Sequence, residues 1–238
     1  MTSPNYHYQS IPKDFISTDL NEDRIRCESN FFAIADGAGG TGIFCGEWAE
    51  FLLSYLPNEP ITNYDSFEKW FTELQEPFLE KHEQSLANDG HKKRRFYEEG
   101  SSSTLAVVWQ IENEIHWLSY GDSQIFFLDE SGYKSYPYTT FNEFEATTDL
   151  LNWKHLPKES ALFFGKMDID NTKVILATDT IAKHIFTLLE SNSQSDAIFE
   201  IIQGFLKNAH SSIAYIKALP DLEEDDYSII TWQPKPIL

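Results

Sequence analysis

Acidic residues in this chain recur at one kind of place, the edge of a short apolar run. Asp36 follows Phe31-Phe32-Ala33-Ile34-Ala35, Asp122 follows the run ending at Tyr120, and Asp179 follows Val174-Ile175-Leu176-Ala177-Thr178. Asp225-Asp226 precede the run Tyr227 to Trp232, and Glu22-Asp23 stand just before a strand at Arg24-Ile25. Strand ends on one face of a sheet lie close in space however far apart they are in sequence. These carboxylates are therefore expected to converge. Converging carboxylates repel, and they hold protons or splay apart unless cations sit between them. With no His or Cys pair nearby, hard oxygen donors suit magnesium or manganese rather than zinc.

The elements that must position them can be read from periodicity. Residues 6 to 35 read as strands, the last of which, Phe31 to Ala35, stops at the Gly-rich loop Asp36-Gly37-Ala38-Gly39-Gly40. Trp48, Phe51, Leu52, Tyr55 and Leu56 form one apolar helix face that Pro57 ends. A second helix spans about Asp65 to Leu86, with Pro77 expected to kink or split it. The basic run His91 to Arg95 reads as a solvated loop or helix end.

Thr104 to Ile111, Ile115 to Tyr120 and Ile125 to Leu128 read as an antiparallel meander. Residues 133–172 are polar and aromatic, with loops and one short helix near Phe141 to Leu151 expected. Val174 to Ala177 is a buried strand. Helices are expected from Thr180 to Glu190 and from Asp196 to Lys207, and a last strand follows the acidic loop Glu223 to Asp226. No repeat, low-complexity tract or linker breaks the chain, so residues 1–238 are read as one domain.

Composition narrows the classes. Hydrophobic residues make up 41% and aromatics 15%, which is too rich for a disordered chain. A net charge of −20 disfavours nucleic-acid binding and anionic membrane surfaces, although most of it is expected to be solvated surface. Cys27 and Cys45 have no CxxC spacing and make no disulfide framework. Met1 to Ser10 lacks an apolar signal core, and no apolar run approaches a membrane span. A reduced, cytoplasmic protein is the expectation.

The acidic motifs, in order, resemble those of the metal-dependent serine/threonine protein phosphatases (protein phosphatase type 2C), in particular compact bacterial members. Asn21-Glu22-Asp23 resembles the family's first acidic motif. Ala35 to Gly40, continued by Gly46 and Ala49, resembles its aspartate–glycine metal loop. Gly100-Ser101-Ser102-Ser103-Thr104-Leu105, Gly121-Asp122-Ser123, Leu176-Ala177-Thr178-Asp179 and Asp225-Asp226-Tyr227-Ser228 resemble the remaining signatures. Each is weak alone, but together they cover nearly the whole chain in family order.

The resemblance implies an α+β fold, a four-layer αββα sandwich of two antiparallel sheets flanked by helices. It implies two magnesium or manganese ions and a possible third. Asp36 would bridge the two, the Gly37 carbonyl would bind one, Asp179 and Asp225 would complete one site, and Glu22 would hold the other mainly through water. Asp122 would belong to the third ion, and Asp23 and Asp226 would stand behind the ligands. The bland reading of Asp122 is a turn cap, and that of Asp36 and Asp179 is a loop aspartate without a ligand.

The implied activity is hydrolysis of phosphoserine and phosphothreonine in the targets of a serine/threonine kinase. A metal-bridged hydroxide would attack phosphorus directly. Ser101 to Ser103 are strand-leading hydroxyls rather than nucleophiles. Three positions depart from the family pattern. Thr18 stands where a phosphate-gripping arginine is usual, with Arg24, Arg94 and Arg95 as possible substitutes. Ala38 replaces a histidine found in many eukaryotic members. Thr180-Ile181-Ala182 replaces a glycine and an aromatic. The alternative of another class is a non-catalytic pseudophosphatase that binds phosphoproteins as a regulatory module.

Overall fold

The structure, a computed structural model, describes residues 5–145, 147–191, 195–206, 208–219 and 222–235. The first four residues of the polar N-terminal stretch and the helix end expected at Lys207 lie outside them. The strands are β1 (Tyr6–Ile11), β2 (Arg24–Cys27), β3 (Phe31–Ala35), β4 (Ser102–Ser103), β5 (Leu105–Ile111) and β6 (Glu114–Tyr120). They continue with β7 (Gln124–Asp129), β8 (Gly132–Tyr136), β9 (Leu151–Asn152), β10 (Leu162–Asp168), β11 (Lys173–Ala177) and β12 (Tyr227–Trp232). The helices are α1 (Cys45–Ser54), α2 (Tyr64–Glu83), α3 (Gly90–Glu98), α4 (Asp179–Ser191), α5 (Ser195–Phe205) and α6 (Ala209–Ala218).

Two five-stranded sheets carry the fold, in the orders β1-β12-β11-β7-β8 and β10-β6-β5-β3-β2, and every pairing is antiparallel. Side chains alternate across a strand, so each fully buried strand serves two cores. In β3, Phe31, Ala33 and Ala35 face α1, α2 and α3, where they meet Trp48, Phe71, Phe78 and Phe96. Phe32 and Ile34 point the other way, into a core between the sheets with Val108, Phe127, Leu176 and Trp232. In β11, Val174 and Leu176 join that middle core, while Ile175 and Ala177 face Ile185 and Phe186 of α4 and Ile198 and Ile202 of α5. Three cores in sequence make the expected α-β-β-α layering. Each fully buried large apolar side chain contributes roughly 1.5–3 kcal/mol to holding it.

Several expectations are corrected. The strands β5, β6 and β7 do not form a meander. β5 pairs with β6, but β7 lies in the other sheet between β11 and β8. The chain changes sheets at Gly121, whose φ of +91° suits glycine. Pro77 does not split α2, because it sits on the exposed side, while Phe71, Leu74 and Phe78 keep the opposite face packed. The basic run is the middle of a helix of its own, capped by Asp89, whose side chain accepts from the Lys92 amide at 3.0 Å.

Segment 133–172 carries strands as well as loops. β8 opens it, β9 pairs with β4, and β10 forms the edge of the second sheet. β10 was illegible because Phe163 and Phe164 are both exposed, so no alternation marks it. The expected short helix is a 3-10 turn over Phe141–Glu145. The helix α6, capped by Asn208, was not anticipated.

Candidate active site

Each predicted acid leaves an element that a core holds in place. Asp36 follows β3, and its amide donates to the Thr104 hydroxyl at 3.0 Å while its carbonyl accepts from the Thr104 amide at 2.9 Å. Gly37 continues as a bridge to Ser103. A Cβ on Gly37 would stand 2.7 Å from the Cys45 carbonyl carbon and the Gly46 nitrogen, so this glycine is where the loop after β3 meets the backbone of α1. Asp122 sits at the sheet change. The Thr148 hydroxyl donates to its Oδ2 at 2.7 Å, and the Thr104 and Ser123 hydroxyls bond at 2.6 Å beneath it.

Asp226 organises the opposite wall. It is buried, its Oδ1 accepts from the Lys13 amide at 2.9 Å, and its Oδ2 accepts from the Glu22 amide at 2.7 Å. One carboxylate thus fixes two segments that meet only in three dimensions. Asp225, more exposed, accepts from the Asp226 amide at 2.8 Å. Asp23 is 3% exposed, with Oδ2 accepting from the Thr178 hydroxyl at 3.1 Å and Oδ1 buried without a partner. Thr178 also ties β11 to β12 by accepting the Ser228 amide at 3.1 Å.

Glu22, Asp36, Gly37, Asp122, Asp179, Asp225 and Asp226 all line one cavity of about 570 Å³, joined by Lys13, Thr104, Thr148 and Glu224. Asp23 stands behind it. The electrostatics match the crowding. Burial, then the carboxylates of Asp23, Asp179, Asp122 and Asp225, push Asp36 well above the usual carboxylate range. Burial and the neighbouring Asp226 push Asp23 up to about 8. Burial also raises Glu22, Asp122 and Asp225.

An ion is the ordinary remedy for such repulsion. All-oxygen donors, the orphaned Asp23 Oδ1 behind them, and Gly39, whose missing side chain leaves room for the Glu22 carboxylate, fit magnesium or manganese on the Glu22–Asp36 side. The carboxylates do not form a closed cage. Among the described residues no three His, Cys, Asp or Glu side chains are drawn together tightly enough to hold an ion as they stand.

Asp179 departs most from expectation. Its Oδ1 accepts from the Thr180 amide and hydroxyl, at 2.5 and 3.2 Å, and its Oδ2 accepts from Lys183 Nζ at 3.0 Å. Lys183 was missed, although its position one helical turn beyond Asp179 is the spacing at which such pairs form. Lys13 was missed because nothing in its local sequence signals the cavity.

None of the proposed substitutes for the arginine lines the cavity. Arg24 is held by the Asn21 and Asp23 carbonyls, Arg94 pairs with Glu98, and Arg95 pairs with Glu99. Thr18 opens an exposed 3-10 turn and does not line the cavity either. Ser101 to Ser103 are buried and do not line it, which agrees with their reading as structural hydroxyls.

No protein-family model matches the sequence, and no curated relative does. Solved structures do match. The serine/threonine phosphatase PstP/Ppp of Mycobacterium tuberculosis superposes with a TM-score of 0.63 at 15% identity, over 97% of this chain and 98% of its own. This chain has the fold of the bacterial type 2C serine/threonine phosphatases. Stp1 from Staphylococcus aureus matches with a TM-score of 0.59 at 12% identity, over 98% of this chain and 96% of its own. The catalytic domain of PstP in complex with 2 manganese ions matches with a TM-score of 0.58 at 15% identity, over 95% of this chain and 96% of its own.

Proposed function

We propose that the acidic cavity is the active centre of a metal-dependent serine/threonine protein phosphatase, a phosphoric monoester hydrolase. The observation that carries this is the meeting of Glu22, Asp36, Asp179 and Asp225, from four separate parts of the chain, around one cavity. A scaffold without ions has no use for carboxylates that raise one another's pKa. Asp36, the Gly37 carbonyl, Glu22 and Asp225 are the groups to hold two ions, the number in manganese-bound PstP. Asp179 contributes from the start of α4, and Asp23 and Asp226 position the ligands.

Magnesium or manganese bound there supplies Lewis acidity to the phosphoryl group and the attacking water. The chain's own part is positioning. Asp226 keeps Glu22 and Lys13 in register through their amides. Lys13, the basic residue of the cavity lining among the described residues, acts favourably on Glu22 and Asp225 and meets the incoming phosphate dianion. It takes the role left open by Thr18. The substrate class is phosphoserine and phosphothreonine in proteins, the output of a serine/threonine kinase.

The second reading, a phosphoprotein-binding module without catalysis, draws on the Asp179–Lys183 pair, which satisfies a core acid without metal. Turnover of p-nitrophenyl phosphate and of a phosphothreonine peptide, with and without manganese, separates the two. Manganese-dependent hydrolysis that is lost in Asp36→Asn supports the enzyme. Inactive, metal-loaded protein that still binds the phosphopeptide establishes the module instead.

A further inference from the structure

A second cavity, of about 400 Å³, has Phe141, Lys183, Thr187 and Leu222 in its lining. The same three stretches of chain build it and the acidic cavity. The helix α4 gives Asp179 to the acidic cavity and Thr180, Lys183 and Thr187 to the second. The loop before β12 gives Glu224 and Asp225 to the first, and Leu222 and Glu223 to the second. The segment between β8 and β9 gives Thr148 to the first and Phe141 to the second. Lys183 is the sill between them. Its Nζ donates to Asp179 Oδ2 at 3.0 Å on the acidic side and to Glu223 Oε2 at 2.5 Å on the other. The two cavities are therefore neighbouring compartments with an ion pair as their partition.

The polar groups of the second compartment are already engaged with one another. The Thr187 hydroxyl donates to the Lys183 carbonyl at 3.0 Å, the Thr180 hydroxyl donates to Asp179 Oδ1 at 3.2 Å, and the His184 ring bonds the Tyr215 hydroxyl at 3.0 Å. Lys183 and Glu223 neutralise each other, and burial pushes the His184 imidazole down, towards its uncharged form. What is left to meet a visitor is the Phe141 ring, 38% exposed, with Leu222 and the hydrocarbon parts of α4. Such a lining favours an apolar side chain, because a polar one would lose water and gain no partner.

Resting on the phosphatase reading, we propose that this second compartment takes a large apolar side chain of the protein substrate, close in sequence to the phosphorylated residue. A peptide whose phosphate enters the acidic cavity leaves it over one of the walls, and the wall at Lys183 is the one with an apolar recess behind it. An extended peptide advances about 3.3 Å per residue, so few residues are needed to cross an ion pair. The phosphate compartment then supplies the chemistry, and the apolar compartment selects among phosphorylated sites.

The test measures kcat/KM of the manganese-loaded protein on phosphothreonine peptides in which a single Leu or Phe is moved through each flanking position of an alanine background. Wild type should favour the apolar residue at one such position by about tenfold, the discrimination that a fitted apolar pocket gives. Thr187→Trp, which fills the recess from an exposed position on α4, and Phe141→Ala, which removes its wall, should each abolish that preference. Both variants should hydrolyse p-nitrophenyl phosphate at the wild-type rate. The proposal is overturned if the wild-type panel is flat, a result that needs no variant to fold. It is equally overturned if the preference survives in folded Thr187→Trp. Metal-loaded wild type that turns over no substrate at all overturns the phosphatase reading together with this one, whereas turnover of p-nitrophenyl phosphate with a flat peptide panel overturns this one alone.

Discussion

Replacing Asp23 by Asn should stabilise the metal-free protein at mildly alkaline pH and do little at acid pH. Asp23 is 3% exposed, and burial with Asp226 beside it moves its carboxyl from 3.8 to about 8. Between those values the folded chain keeps a proton that the unfolded chain has released. The unfolded state then binds fewer protons, so stability falls as pH rises. The loss starts near the unfolded value, about 4, and is complete by about 8. One proton corresponds to roughly 1.4 kcal/mol per pH unit, so from about pH 5 to about pH 8 this carboxyl removes about 4 kcal/mol.

Asparagine cannot ionise, so the variant should shed one proton's worth of that slope. Urea unfolding in EDTA at intervals across this range measures it. Added manganese should flatten the wild-type curve, because a nearby cation lowers the carboxyl's pKa. If wild type and Asp23→Asn run parallel throughout in EDTA, the carboxylate is ionised in the folded state and the repulsion argument for the cavity fails.

Lys13→Ala should raise KM for a phosphothreonine peptide by about tenfold with a smaller change in kcat, as expected for a residue that binds the phosphate in ground and transition state alike. Equal losses in both parameters would place its role elsewhere. Gly37→Ala should lower stability by about 1–3 kcal/mol in a thermal melt, because the new Cβ meets the Cys45 and Gly46 backbone at 2.7 Å. An unchanged melt would show that the loop after β3 has more room than its packing against α1 implies.

Much of this was legible because burial on both faces leaves a mark. β3 is an unbroken apolar run, β11 is one after Lys173, β12 is apolar but for Ser228 and Thr231, and the acids at their ends are where the cavity forms. What periodicity could not show was partnership. The strand β7 reads like a continuation of β5 and β6, and only the three-dimensional structure shows it crossing to the other sheet. That crossing puts Asp122 at the cavity instead of in a hairpin. β10 hid because Phe163 and Phe164 on successive positions are both exposed and only Leu162 is buried, which leaves no alternation to read. Lys13 enters the site through its backbone bond to Asp226, a contact across the whole chain that no local signal carries. Lys183 stands one helical turn beyond Asp179, so its pairing with that acid is legible from spacing alone.

Anomalous scattering from crystals soaked in manganese locates the ions directly. Two peaks within bonding reach of Asp36 are expected, one of them touching the Gly37 carbonyl. An empty cavity at saturating manganese, or peaks that avoid Asp36, would contradict the metal-centre reading.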